Sequence, residues 1–241
     1  MKLIIAIPAY NEEKIIGKNV NALRDFCDWN LSQHDWKIVV ADNCSTDATK
    51  SIVSDIVKKD PRIQHFYVAQ KGKGLAIRRA WLEDNADAYV FMDADLAVDL
   101  SALPALVSAL EGEGYDMACG SRYHKESRVK RTFLRRMISF IYRLLLKIML
   151  RTRIQDAPCG FKAINQKIKN EVLPKVRSNE WFFDSELVII AEKLGYKIKE
   201  IPVAWEEKNE KGRKSRVSIL SLGVEYVKKV LELKKRLRTL L

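Results

Sequence analysis

Asp93 and Asp95 stand two residues apart at the end of the apolar run Ala88-Tyr89-Val90-Phe91-Met92. Two carboxylates placed where an extended strand stops can be aimed at one cation. Magnesium or manganese held there keeps positions open for diphosphate oxygens, because hard divalent cations take one or two carboxylates plus substrate phosphates. Acidic pairs are common in exposed turns, so the weight of this one depends on its surroundings.

Other residues in the first half suit the same chemistry. Asp42 follows Ile38-Val39-Val40-Ala41 and precedes Asn43-Cys44-Ser45-Thr46-Asp47. A carboxylate at a strand end can accept the N–H of a nucleobase; the alternative is a helix-capping turn, for which Ser45, Thr46 and Asp47 suffice. Glu12 can face the same nucleoside or favour a helix amino terminus. Lys71-Gly72-Lys73-Gly74 joins positive charge to free backbone, without the GxxxxGK[ST] spacing of a Walker loop. With Arg78 and Arg79 one turn on, it reads as a diphosphate or sugar contact or as a solvated cationic turn.

These groups need elements to position them. Strands are expected at 2–7, 36–41, 63–69, 88–92 and 116–120, and helices at 12–28, 47–59, 74–84 and 101–111, where apolar residues recur at helical spacing. Thr46 or Asp47 is expected to cap the second helix and Ser101 the fourth. Alternation of this kind predicts an α/β fold with a mostly parallel sheet between helices. Ligands bind at the carboxyl ends of such strands, and Pro8–Glu12, Asp42–Ser45, Lys71–Gly74, Asp93–Asp95 and Gly120–Arg122 all fall on that edge. One polar loop there is ordinary; five in succession indicate a site.

After Arg122 the alternation fails. Residues 128–154 hold nine Arg and Lys and no acid, interleaved with aliphatic and aromatic residues, as one or two basic amphipathic helices would. A helix at 184–194, a strand at 197–203, a basic loop at 211–216 and a helix over 217–241 complete the expectation. A length of 241 residues, 47% of them hydrophobic, suits one domain with a proper core. The expected unit is 1–241, with a nucleotide-binding part to 122 and an acceptor part with the amphipathic helices beyond.

The net charge of +12 implies an anionic partner. Four scattered cysteines without a CxxC pair read as free thiols in a reducing, cytoplasmic setting. His34, His65 and His124 lack metal-ligand spacing. The apolar stretch Leu3–Ile7 is too short for a signal peptide, and no run approaches the roughly 20 residues that span a bilayer. The chain is therefore expected to be soluble or peripheral.

Pro-Ala-Tyr-Asn-Glu (8–12), Asp42-Asn43-x-Ser-Thr-Asp, Gly-Lys-Gly (72–74), Met-Asp-Ala-Asp-Leu-Ala (92–97), Gly-Ser-Arg (120–122), Gln155-Asp156-x-x-Cys159-Gly160-Phe161-Lys162 and Phe183-Asp184-x-Glu186-Leu187 occur in order. This set resembles the inverting GT-A (Rossmann-like) glycosyltransferases. More narrowly it is similar to the dolichyl-phosphate glucosyltransferase and dolichol-phosphate mannose synthase group.

The resemblance implies sugar transfer from a nucleotide-sugar donor to a polyprenyl or dolichyl phosphate, with Mg2+ or Mn2+ as cofactor. It implies that Pro8, Ala9, Tyr10, Asn11, Glu12, Asp42, Lys73, Asp93, Ala94 and Asp95 hold the donor, with Asp93 and Asp95 as metal ligands. Asp95, Arg122 and Asp156 become the catalytic candidates; Arg122, Arg135, Ser139, Arg213 and Arg216 become acceptor-phosphate contacts. Arg136 competes with Arg135, Lys214 lies in the same basic loop, and Cys159-Gly160-Phe161 would border the acceptor. Mannose synthases commonly carry Gln where Ala97 stands. That difference favours UDP-glucose over GDP-mannose and removes a metal ligand or replaces it by water.

A polyprenyl acceptor implies peripheral attachment to the cytoplasmic face of a membrane, through basic helices that bury apolar residues at the interface. Packing of those helices on the core is the alternative. Transfer to a hydroxyl acceptor would need a base, with Asp156 or Asp184 the candidates. Nucleic-acid binding would use the positive charge, but the aromatics of the basic segment lie among aliphatics rather than forming a stacking platform, so no nucleic-acid partner is expected.

Overall fold

A computed structural model describes residues 1–206 and 219–240. In chain order its elements are β1 (Lys2–Ala9), α1 (Ile16–Asn30), β2 (Asp35–Asp42), α2 (Thr49–Val57), β3 (Ile63–Tyr67), α3 (Lys73–Leu82), β4 (Ala88–Met92), α4 (Leu103–Glu111) and β5 (Met117–Ser121). There follow β6 (Arg128–Lys130), α5 (Phe133–Leu150), β7 (Phe161–Asn165), α6 (Gln166–Glu171), α7 (Phe183–Lys193), β8 (Ile198–Pro202), β9 (Ala204–Glu206) and α8 (Ile219–Leu240).

Seven strands form one sheet in the order β3-β2-β1-β4-β7-β5-β8; β6 and β9 pair separately. The sheet is parallel except for β7, which runs antiparallel between β4 and β5. Side chains alternate faces along a strand. In β1, Ile4 and Ala6 join one buried cluster, while Leu3, Ile5 and Ile7 join the other. The first cluster includes Trp81 of α3 and Phe183 of α7; the second includes Leu23 of α1 and Leu106 of α4. Trp81, Phe91 and Phe183 meet with ring centroids 5.8–6.4 Å apart and make an aromatic floor. Burial of each phenylalanine contributes about 1.5–3 kcal/mol.

The first-half strands and helices lie where the periodicity placed them, with shifted ends. Helix α1 begins at Ile16 rather than residue 12, because the Glu12 carbonyl first accepts the N–H groups of Ile15 and Ile16 in a turn. Asp99, not Ser101, caps the turn before α4: its side chain accepts the Ser101 N–H. Asp47 does serve α2, accepting the Thr49 N–H at 2.9 Å.

The second half differs more. The basic segment forms a short, unexpected strand, β6, and a single amphipathic helix, α5, the smaller of the two numbers expected. Strand β7 was not anticipated, since its five residues include Lys162, a residue that usually faces water. Lys162 is fully buried and its Nζ donates to the carbonyls of Ala157 and Cys159, so the charge closes the turn ahead of the strand. That substitution of turn carbonyls for solvent satisfies a buried ammonium.

Candidate active site

Strands β2 and β4 lie on either side of β1, so strand order reverses there and opens a crevice at the carboxyl ends. The crevice is a cleft of about 330 Å³. Pro8, Ala9, Tyr10, Glu12, Lys73, Asp93, Ala94 and Asp95 line it, together with Asn43, Lys71, Gly72, Glu180 and Trp181. The cleft thus gathers eight of the ten residues named for the donor.

The remaining two sit behind its edge. Asn11 has a left-handed φ of 52° and binds the neighbouring loop: its N–H donates to Ser45 Oγ, and its Oδ1 accepts the Thr46 N–H. The β1–α1 and β2–α2 loops are thereby fastened into one rim. Asp42 is fully buried, with Oδ1 accepting the Ser45 N–H at 3.0 Å and Oδ2 3.4 Å from His65 Nε2. Burial pushes Asp42 up, but the His65 and Ser45 hydrogen bonds outweigh it and leave the carboxyl below its ordinary range. His65, which its sequence spacing did not mark as a ligand, stands against Asp42.

Register explains the metal-site candidates. Met92 opposes Phe161 across β4 and β7, so Asp93 opposes Gly160 at the next step. A Cβ on Gly160 would come within 2.1 Å of Asp93 Oδ2; only glycine leaves room for the carboxylate. Asp93 Oδ1 meets Lys73 Nζ at 2.8 Å, and Lys73 also meets Asp184 Oδ2 at 2.7 Å. Gly72 and Gly74 permit this approach of α3 to α7, since a Cβ on either would lie 2.5 Å from Asn179 or Phe183. Burial disfavours the Lys73 ammonium, yet Asp184 and Asp93 more than compensate and raise its pKa. Asp184 is pushed up by burial against the opposing pull of Lys73. Lys73 is therefore a buried charged clamp between two carboxylates, not a solvated turn residue.

Asp95 is half-buried and accepts the Ala97 N–H at 3.1 Å. Among the described residues no cluster of three or more His, Cys, Asp or Glu could hold a metal. Two carboxylates fit a hard divalent cation that completes its shell with water and phosphate oxygens, and Asp93 and Asp95 are the residues that would hold it.

Arg122 and Asp156 are joined to each other. Asp156 is fully buried; Arg122 Nε, a terminal nitrogen and the main-chain N–H all donate to it at 2.8 Å. Burial would raise Asp156, but the guanidinium overrides it and holds the carboxyl below its usual range. A carboxylate locked in this fork is a poor proton acceptor, and Arg122 gives it Nε and one terminal nitrogen. Asp184 gives Oδ2 to Lys73, while its Oδ1 is buried without a hydrogen-bond partner among the described residues. Arg78, considered for the diphosphate, instead donates to the carbonyls of Leu173 and Val176; Arg79 is exposed.

Helix α5 carries the remaining acceptor candidates. Ser139 Oγ accepts from Arg131 at 3.0 Å, and Arg135 is half-buried on the same helix face; Arg136 is exposed. Arg213, Lys214 and Arg216 lie outside the described residues. Phe133, Met137, Phe140, Ile141, Leu144 and Ile148 form an exposed apolar stripe, with Phe133 79% exposed. No helix among the described residues is long and apolar enough to cross a membrane. All four cysteines are free thiols.

Sequence reasoning gave no role to Glu180 and Trp181, although both line the cleft. Their position just before Phe183-Asp184 was the available signal.

Residues 4–173 match the model of the family described as Glycosyl transferase family 2. Glycosyltransferase AglD of Haloferax volcanii is 30% identical over 229 residues, covering 95% of this chain, which spans only 37% of that relative's length. Dolichyl-phosphate beta-glucosyltransferase ALG5A of Trichomonas vaginalis is 30% identical over 238 residues, covering 94% of this chain and 72% of the relative. The dolichyl-phosphate beta-glucosyltransferase of Saccharomyces cerevisiae is 29% identical, covering 85% and 67%. Among solved structures, glucosyl-3-phosphoglycerate synthase of Mycobacterium tuberculosis, bound to Mn2+, UDP and glucosyl-3-phosphoglycerate, aligns with a TM-score of 0.68 at 19% identity. That alignment covers 96% of this chain and 78% of the synthase chain, and shows the shared GT-A fold.

Proposed function

Because this chain belongs to glycosyl transferase family 2 and is a glycosyltransferase, we propose that it transfers glucose from UDP-glucose to a polyprenyl or dolichyl phosphate at a membrane surface. The observation that carries this reading is the pairing of a two-carboxylate cleft with a basic helix whose apolar stripe is left uncovered. The relatives named dolichyl-phosphate beta-glucosyltransferase support the same donor and acceptor classes.

The cleft suits the donor. The 8–12 segment and the rim built on Asn11 and Asp42 hold the nucleoside, and Asp93 and Asp95 face the diphosphate. Asp93 and Asp95 would hold a divalent cation, which would neutralise charge developing on the departing diphosphate. An acceptor phosphate oxygen forms the new bond to the anomeric carbon as the bond to the UDP oxygen breaks, with inversion. A phosphate monoester has a second pKa of about 6 and is largely ionised at neutral pH, so it needs positioning rather than a base. A phosphate acceptor is favoured over a hydroxyl because Asp156 is held by Arg122 below its usual range and Asp184 is buried beside Lys73, outside the cleft lining.

Membrane contact follows from the acceptor. The α5 stripe can enter the interface while Arg136 and its basic neighbours remain among headgroups, each cation near an anionic surface contributing about 1 kcal/mol.

The decisive assay mixes purified protein, Mn2+ or Mg2+, one of UDP-glucose, UDP-GlcNAc or GDP-mannose, and vesicles with and without dolichyl phosphate. Glucosyl phosphoryl dolichol is the expected product, formed only with UDP-glucose, and the protein is expected to float with anionic vesicles at low salt. Sugar appearing on a hydroxyl lipid but not on dolichyl phosphate would refute the acceptor.

Gly160→Ala tests the register of the site. The new methyl must displace the Asp93 carboxylate, and a misplacement near 1 Å costs about 10²-fold in rate. Turnover within a few-fold of wild type would mean that the position of Asp93 does not matter to the reaction.

A further inference from the structure

Residues 173–179 join α6 to α7, and groups from three helices hold their main chain. From α3, Arg78 donates to the carbonyls of Leu173 and Val176 at 2.7 and 2.6 Å, and the Leu75 N–H donates to the Asn179 carbonyl at 3.0 Å. From α7, Glu186 accepts the N–H groups of Arg177 and Ser178 at 3.1 and 2.7 Å. From α8, Arg236 donates one terminal nitrogen to Glu186 Oε1 and the other to the Lys175 carbonyl. Glu186 is only 2% exposed, so Arg236 is the counter-ion of a buried carboxylate. Arg78 brings a second positive charge near it: burial lowers the Arg78 pKa, and the charge of Glu186 opposes that.

The next two residues, Glu180 and Trp181, line the donor cleft. Helix α8 stands against the same pair: a second cavity, about 280 Å³, is bounded by Glu180, Trp181 and Phe182 together with Glu225, Tyr226 and Lys229. The Tyr226 ring meets Phe182 edge-on with centroids 6.0 Å apart, and Val230, Leu233 and Leu237 are buried against the body. Within the cleft, the Trp181 ring centroid lies 5.2 Å from Lys73 Nζ, itself 2.8 Å from Asp93 Oδ1. Arg78, Glu186 and Arg236 all lie outside the cleft lining. A chain of charge-assisted contacts thus runs from α8 through Glu186 to the segment that carries one wall of the cleft.

We propose that Glu186 and Arg236 are positioning residues for donor binding: they fix residues 173–179 so that Glu180 and Trp181 stand in the cleft, and they couple the seating of α8 to the occupancy of the cleft. The coupling rests on the functional reading above only for the identity of the donor. Coupling between two sites is reciprocal. A donor that binds with Glu180 and Trp181 in place must also hold α8 down, and loosening α8 must weaken the donor while sparing the chemistry of the bound complex. Glu186 suits this part because it accepts from both sides at once, two main-chain N–H groups of the segment and the guanidinium of α8.

Hydrogen exchange over α8, calorimetric titration of UDP-glucose with Mn2+, and turnover with a short-chain isoprenyl phosphate test this in wild type, Arg236→Met, Arg236→Lys and the double variant Arg236→Met/Glu186→Gln. In wild type, UDP-glucose with Mn2+ is expected to slow exchange of the amides of residues 230–237 by about threefold or more. In Arg236→Met that protection is expected to vanish and the Kd for UDP-glucose to rise about tenfold, as loss of a charge-assisted contact predicts, with kcat within about threefold. Arg236→Lys keeps the charge and is expected to recover part of the affinity. The double variant removes the unpaired buried carboxylate, so its unfolding temperature is expected to return toward wild type while donor affinity stays low; a merely structural clamp would recover both. Donor-independent exchange in wild-type α8, or wild-type donor affinity in the double variant, overturns the coupling and leaves the reaction standing. If α8 is protected by GDP-mannose and not by UDP-glucose, the donor identity fails and the coupling stands. If Arg236→Met loses affinity but wild type glucosylates no isoprenyl phosphate, the acceptor reading fails and the coupling stands. Binding of neither nucleotide sugar overturns both.

Discussion

Asp95→Asn is expected to lower glucosyl transfer by about 10³-fold while the protein unfolds within a few degrees of wild type. The asparagine oxygen can still accept the Ala97 N–H, so the turn after β4 keeps its shape. What disappears is one of the two cleft carboxylates proposed to face the diphosphate. Removing one preorganised electrostatic contact to a developing charge costs about 10²–10³ in kcat, and weaker cation binding adds to that loss. Manganese titration under donor-saturating conditions should show a raised metal requirement in the variant. Turnover within tenfold of wild type at ordinary metal concentrations would remove Asp95 from the site. Asp93→Asn is the less clean experiment, because Asp93 is also the partner of Lys73.

The sequence made the donor half of the molecule legible for a physical reason. Its strands are buried on both faces, so they read as unbroken apolar runs, and their ends are marked by polar residues that must lie on one edge. That logic located Tyr10, Glu12, Asp93 and Asp95 without coordinates. It failed at β7 because a buried lysine satisfied by turn carbonyls looks like a surface lysine in one dimension. It also did not show that Arg122 and Asp156 are joined to one another. Each residue type is suited to catalysis, and only the three hydrogen bonds joining them reveal that they are spent on each other. In the basic helix, spacing identified an amphipathic face but could not separate cations turned toward Tyr123 from those turned outward. Nor could it tell that the apolar stripe of α5 would remain uncovered.

Lys73→Met removes the charge at the junction of these two halves and should have the largest effect on stability. The ammonium stands 2.8 Å from Asp93 and 2.7 Å from Asp184, over the Phe91 and Trp181 rings. Methionine fills similar volume but leaves a buried Asp184 without its counter-ion. Breaking a buried pair in this way costs about 3–5 kcal/mol, which for a chain of this size lowers the unfolding temperature by roughly 6–20 °C. The defect should depend on pH with a definite sign. Burial already raises the Asp184 pKa against the pull of Lys73, so losing the lysine raises it further. A group whose folded pKa lies above its unfolded value stabilises the fold at acid pH, and that contribution is lost as pH rises through the folded value. The gap between wild type and Lys73→Met should therefore widen from pH 5 to pH 8. Adding Asp184→Asn neutralises the orphaned charge and should recover much of the stability at pH 8. Transfer should not recover, because Asp93 still lacks the cation that fixes it opposite Gly160. An unfolding temperature for Lys73→Met within 2 °C of wild type, or no gain from Asp184→Asn, would show that the three residues do not form a coupled buried network.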